Sequence, residues 1–116
     1  YKGKAITPDK VSKLIQGRVI TFLFDTGLCK NCTVLAKDAD VLVCESTYAN
    51  DLEEKAENYK HLTAGQAASI ANQAGVQKLV LTHFSQRYKT LEQIEEDAKT
   101  VFPNTICAQD FTKIQI

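Results

Sequence analysis

Thr63-Ala64-Gly65-Gln66-Ala67-Ala68-Ser69-Ile70-Ala71-Asn72-Gln73-Ala74-Gly75, followed after a three-residue step by Leu79-Val80-Leu81-Thr82-His83, decides the fold. Thr63 and Gln66 form a T-x-x-Q capping box, in which each side chain satisfies a backbone N–H left open at a helix start. Ala64, Ala67, Ala68, Ala71 and Ala74 give the helix a small-residue surface, with Ile70 adding bulk. Small side chains let a helix lie close against a sheet. Gly75 stands where a left-handed C-cap residue belongs. The apolar run 79–82 then reads as a buried strand. Helix followed at once by buried strand is the second half of a βαβ unit.

The same alternation extends both ways. Val19-Ile20-Thr21-Phe22-Leu23-Phe24 reads as a strand, 31–37 as a short helix, and Val41-Leu42-Val43-Cys44 as a second strand. Residues 50–60 are highly charged, with a weak apolar stripe of Leu52, Ala56 and Tyr59, and suggest an exposed helix or loop. Thr90 and Gln93 repeat the capping-box spacing. Leu91, Ile94, Ala98 and Val101 share one helical face, and Pro103 ends that helix. Thr105–Ala108 and Thr112–Ile116 read as two short strands around a turn at Asp110. Residues 1–17 read as irregular, punctuated by Gly3, Pro8 and Gly17. The order β-α-β-α-α-β-α-β-β predicts an α/β fold, with a largely parallel sheet, right-handed crossovers and an antiparallel edge that makes the sheet mixed.

The chain has 116 residues, enough for one domain (1–116) with one core. Its 14 Lys+Arg balance 14 Asp+Glu, so the surface lacks the general positive charge that broad nucleic-acid binding uses. A local basic patch remains compatible with that balance. No apolar run approaches the roughly 20 residues of a membrane span, and no signal-peptide core follows the N-terminus. The absence of Met and the start at Tyr1 read as a processed chain or a fragment. Cys29, Cys32, Cys44 and Cys107 are expected as thiols of a cytoplasmic protein. Cys29 and Cys32 form a lone C-x-x-C, a weak sign of either a zinc or a redox pair.

Three strands run into residues that can do chemistry: Asp25, Glu45 and His83. Ligands and catalytic groups gather at the carboxyl ends of strands in open α/β sheets. Each residue also has a plainer reading. Asp25 could cap its turn, Glu45 could close a sheet-end salt bridge, and His83 could be a satisfied core histidine. His61, just before the capped helix, could shuttle a proton or be a surface residue beside a cap. Asp25 and His83 together favour a metal site. Two histidines with no H-x-H-x-D-H or H-E-x-x-H motif cannot close a two-metal site alone.

Four ordered segments carry a resemblance. Phe24-Asp25-Thr26-Gly27-Leu28-Cys29-Lys30-Asn31, Glu45-Ser46-Thr47-Tyr48, His61-Leu62-Thr63-Ala64 and Leu81-Thr82-His83-Phe84-Ser85-Gln86-Arg87-Tyr88 resemble the carboxyl-terminal part of ribonuclease Z. That family is the tRNA 3′-processing endonuclease branch of the metallo-β-lactamase superfamily. Lys2–Val11 also resembles the family segment before the Asp strand. The resemblance implies the carboxyl-terminal half of a four-layer αββα sandwich, whose sheet keeps an apolar face for the other half. It implies that Asp25 bridges two zinc ions (Zn2+) and that His83 ligates one of them. It further implies that His61 gives a proton to the leaving 3′-oxygen and that Glu45 orients His61. The implied reaction is zinc-dependent phosphodiester hydrolysis of precursor tRNA, leaving a 3′-hydroxyl on the tRNA and a 5′-phosphate on the trailer.

Departures from the family pattern are local. Gly27-Leu28 replaces Arg-Pro, Phe24 replaces Gly, Cys44 replaces His and Gln86 replaces Pro. With the H-x-H-x-D-H motif absent, the 116-residue chain alone is expected not to cleave tRNA. Its expected partners are precursor tRNA, a missing N-terminal half or complementary chain, and a second copy forming a homodimer. Two other readings stand beside this one: a metallo-β-lactamase-fold hydrolase of another phosphodiester or ester, and a non-catalytic interaction domain that keeps the fold.

Overall fold

The computed structural model describes residues 17–24, 27–109 and 112–114. Four strands, β1 (Ile20–Leu23), β2 (Val41–Glu45), β3 (Lys78–Thr82) and β4 (Thr105–Cys107), form one sheet in the order β1-β2-β3-β4. Every adjacent pair is parallel. The connections hold α1 (Lys30–Ala36), α2 (Glu53–Tyr59, after a 3₁₀ turn at Asn50–Leu52), α3 (Ala64–Ala74) and α4 (Glu92–Val101). A strand order that always steps the same way, with right-handed crossovers, puts the connecting helices on one face of the sheet.

The core follows from that layering. Leu42, Cys44, Leu79 and Leu81 point into a cluster with Cys32, Ala36, Ala67, Ile70, Ala71, Ile94 and Ala98. All five alanines of α3 are buried, as the small-residue surface requires. Its capping box forms: the Thr63 hydroxyl accepts from Gln66 N, and Gln66 Oε1 accepts from Thr63 N. Gly75 adopts φ 75° at the C-cap, in the left-handed region that glycine enters without strain.

The opposite face is apolar and partly open, as the resemblance implies. Ile20, Phe22 and Phe24 are 41%, 60% and 47% exposed, and the two phenylalanine rings lie 6.0 Å apart.

Two expectations differ from the structure. Thr90 and Gln93 do not form a capping box: α4 starts one residue later, with Leu91 as N-cap and no side-chain cap. Glu92 and Glu95 in its first turn place negative charge against the helix N-terminus instead. The second short strand, and with it the antiparallel edge of a mixed sheet, is not formed at 112–114, which carries no strand. The rest of 110–116 lies outside the described residues, as do 1–16. Among the described residues the sheet is wholly parallel.

Candidate functional site

Glu45 is the last residue of β2 and lies beside Thr82, the last residue of β3. Ser46 N donates to Thr82 O at 2.8 Å, so the two strands end level with each other. His83 follows Thr82 directly. Glu45 and His83 therefore leave the sheet side by side at its carboxyl edge.

His61 reaches the same place from the helical layer. Lys60 closes α2 in the left-handed conformation (φ 60°). His61 N then donates to Ala56 O at 2.8 Å. Leu62 and Ala64 flank a parallel bridge between Thr63 and Tyr48, with Ala64 N donating to Tyr48 O at 2.9 Å. That bridge ties the start of α3 to the chain just beyond β2 and fixes His61 over Glu45.

Glu45 is fully buried, and one oxygen gathers three donors. His61 Nδ1 lies 2.9 Å from Glu45 Oε2. The Thr47 hydroxyl donates to the same oxygen at 2.9 Å, and Leu62 N donates to it at 3.3 Å. A buried carboxylate is stable only where such bonds replace its water. Opposite a carboxylate, Nδ1 carries a hydrogen, which leaves Nε2 as the nitrogen available to a ligand. The His61 side chain keeps 26% of its surface exposed.

His83 faces this pair, with its ring centroid 5.8 Å from that of His61. Its backbone sits at φ 63°, a left-handed conformation that a non-glycine residue adopts at a cost of about 1–2 kcal/mol. Ser85 N donates to Thr47 O at 3.0 Å and pins the loop that holds it there. Tyr48 meets His61 edge-on at 6.3 Å, and the Arg87 guanidinium lies 5.9 Å from the Tyr48 ring. Tyr88 fixes the rim: its hydroxyl accepts from Ala49 N at 2.8 Å.

Of the four residues singled out in the sequence, the structure brings Glu45, His61 and His83 together. Asp25 lies outside the described residues. The chain resumes at Gly27, where a side chain would meet the Lys60 backbone at 3.4 Å. Gly27 thus lies beside the residue that precedes His61. Sequence reasoning assigned no part to Thr47, Tyr48 or Leu62 N. Their signal was weak: a Ser-Thr-Tyr run after a strand-end carboxylate does not say which hydroxyl turns back to it.

Among the described residues no three His, Cys, Asp or Glu side chains converge to hold a metal ion. A zinc site takes three or four protein ligands. Cys44, where the family pattern has His, points into the core beneath Glu45, and burial raises its thiol pKa well above the usual range, helped by Glu45 and Cys32.

The chain is similar to ribonucleases Z from several organisms. Ribonuclease Z of Protochlamydia amoebophila is 42% identical over 98% of this chain, and that of Lactobacillus helveticus is 50% identical over 86%. Human tRNase Z, short form, superposes with a TM-score of 0.68 at 33% identity over 86% of the chain. The chain is homologous to ribonuclease Z over part of that protein's length. It spans 39% of the Protochlamydia protein, 33% of the Lactobacillus one and 34% of the human chain. A metallo-β-lactamase fold protein from Bacillus subtilis, 24% identical with a TM-score of 0.73 over 79% of the chain, shares the fold. No family model matches the chain.

Proposed function

We propose that this chain is the carboxyl-terminal part of a tRNA 3′-processing endonuclease and supplies its proton donor. The observation that carries the reading is the grip of buried Glu45 on His61 Nδ1, beside His83 at the carboxyl edge of the sheet. Homology to ribonuclease Z supports the substrate class, precursor tRNA.

In this reading Glu45 fixes the ring plane and the tautomer of His61. Thr47 and Leu62 N hold Glu45 so that it cannot turn away. His61 Nε2 gives a proton to the 3′-oxygen as the phosphodiester bond to the trailer breaks, and regains one from water. A positioned general acid of this kind contributes about 10²–10⁴-fold to rate. The paired carboxylate balances the charge of the ring when both nitrogens carry hydrogen.

Asp25 and His83 are the chain's proposed contribution to a zinc site completed by ligands from outside residues 1–116. Bound zinc would supply Lewis acidity toward the phosphate and activation of water. The protein acts in the cytoplasm, where precursor tRNA is processed. Among the described residues no helix is long and apolar enough to cross a membrane. The open face around Phe22 is where the rest of the parent protein packs in this reading.

The test is trailer release from precursor tRNA by the full-length protein that contains this chain, run beside a simple phosphodiester such as bis(p-nitrophenyl) phosphate. Cleavage at the trailer junction, leaving a 3′-hydroxyl on the tRNA, is the expected result. Hydrolysis of the simple diester with no tRNA cleavage would overturn the assignment of substrate.

A further inference from the structure

The C-x-x-C stands at the start of α1. Cys29 is the exposed N-cap of α1, whereas Cys32, one turn on, is 2% exposed and packs in the core. Cys32 N donates to Cys29 O at 3.1 Å, which closes a turn. Residues joined by such a turn have Cα atoms within about 7 Å, inside the ceiling of about 7 Å that a disulfide tolerates. The two Sγ atoms are already in contact at 3.6 Å. Bonding them needs an approach to about 2 Å. The asymmetry also suits sequential chemistry, with one thiol at the surface to meet an oxidant and a second just beneath to resolve the product. Cys44 is fully buried in β2, and Cys107 lies in β4 at the far edge of the sheet.

We infer that Cys29 and Cys32 are a reversible redox pair that closes an intramolecular disulfide with low-molecular-weight disulfides. In the first step the Cys29 thiolate attacks one sulfur of glutathione disulfide. A Cys29–glutathione mixed disulfide forms and one glutathione thiolate leaves. The Cys32 thiolate then attacks Cys29 Sγ, forming the Cys29–Cys32 bond and releasing the second glutathione thiolate. Two protein thiols are oxidised, one glutathione disulfide is reduced to two glutathiones, and the protons of the protein thiols pass to the released thiolates. The bond ties the loop that leaves β1, and with it the segment following Asp25, to the first turn of α1. Cytosolic disulfides of this kind are transient and redox-sensing rather than structural.

Lys30 lies between the two cysteines and makes the test direct. Trypsin releases Val19–Lys30 and Asn31–Lys37 as separate peptides unless a disulfide joins them. The full-length protein is incubated with glutathione disulfide, the remaining thiols are blocked with iodoacetamide, and the digest is read by mass spectrometry. The expected product is the linked pair Val19–Lys30/Asn31–Lys37, lost on dithiothreitol treatment. In Cys32→Ser the mixed disulfide on Cys29 should persist instead. Three results would each overturn the inference: equal accumulation of the mixed disulfide in both proteins, linkage of Cys29 to Cys44 or Cys107, or full iodoacetamide labelling of Cys29 after oxidation. The wild-type digest decides on its own if the serine variant fails to fold.

Discussion

Replacing Glu45 by alanine strips one oxygen from three donors, and the structure fixes what each loses. Leu62 is fully buried, so its N–H, bound at 3.3 Å, finds no water when the carboxylate goes. The Thr47 hydroxyl, at 2.9 Å, sits on a residue only 7% exposed and fares little better. His61 keeps 26% of its side-chain surface and can turn to solvent, so its own loss is small. An unsatisfied buried group costs about 1–3 kcal/mol, which makes Glu45→Ala destabilising by about 3 kcal/mol. Glu45→Gln separates charge from geometry. An amide oxygen in the place of Oε2 keeps an acceptor for all three donors, and their charge assistance is lost, about 1 kcal/mol. Urea unfolding of the full-length protein, compared at constant m-value, measures both. An alanine variant within about 0.5 kcal/mol of wild type, or equal losses for the two substitutions, would refute the reasoning.

Four other outcomes follow from single residues. Among the described residues the buried Ser46 hydroxyl has no hydrogen-bond partner, so Ser46→Ala should leave stability unchanged or raise it by up to about 1 kcal/mol, read in the same unfolding series. His83→Gly should relieve the left-handed backbone and gain about 1 kcal/mol, yet abolish trailer cleavage; a loss of stability would show that packing of the ring outweighs the strain. Burial pushes the Cys107 thiol up to about 11, with Glu95 adding to the rise and Lys99 opposing it. A thiol reacts as thiolate, so Cys107 alkylation by iodoacetamide should be slow near neutral pH and accelerate as pH rises toward that value. Cys44 should label only on unfolding.

The fold was legible because its signals are local. Thr63, Gln66 and Gly75 mark both ends of α3 by hydrogen bonds within a few residues of chain, and the apolar runs at 41–44 and 79–82 are too short and too buried to be anything but strands. The second capping box failed because Thr90-x-x-Gln93 is a necessary pattern and not a sufficient one. The turn before α4 delivers the chain one residue late, and nothing in the spacing of Thr90 reports that. Among the site residues, Glu45, His61 and His83 could be picked out because they stand at strand and helix ends. Their mutual geometry depended on register: Glu45 beside Thr82, and Tyr48 bridged to Thr63. Such non-local pairings leave no trace in composition or period. The left-handed backbone at His83 was also silent, since neither glycine nor asparagine occupies the position. The role of Thr47 emerges only once β2 places its hydroxyl back on Glu45.

The claim that matters most is that His61, held by Glu45, protonates the leaving 3′-oxygen. The direct measurement compares wild-type and His61→Ala full-length protein on two precursor tRNAs, one natural and one with sulfur in place of the scissile 3′-oxygen. A sulfur leaving group departs without a proton. His61→Ala should therefore lose about 10²–10⁴-fold on the natural substrate and recover most of that loss on the sulfur substrate. An equal deficit on both substrates would contradict the assignment of His61 as the proton donor.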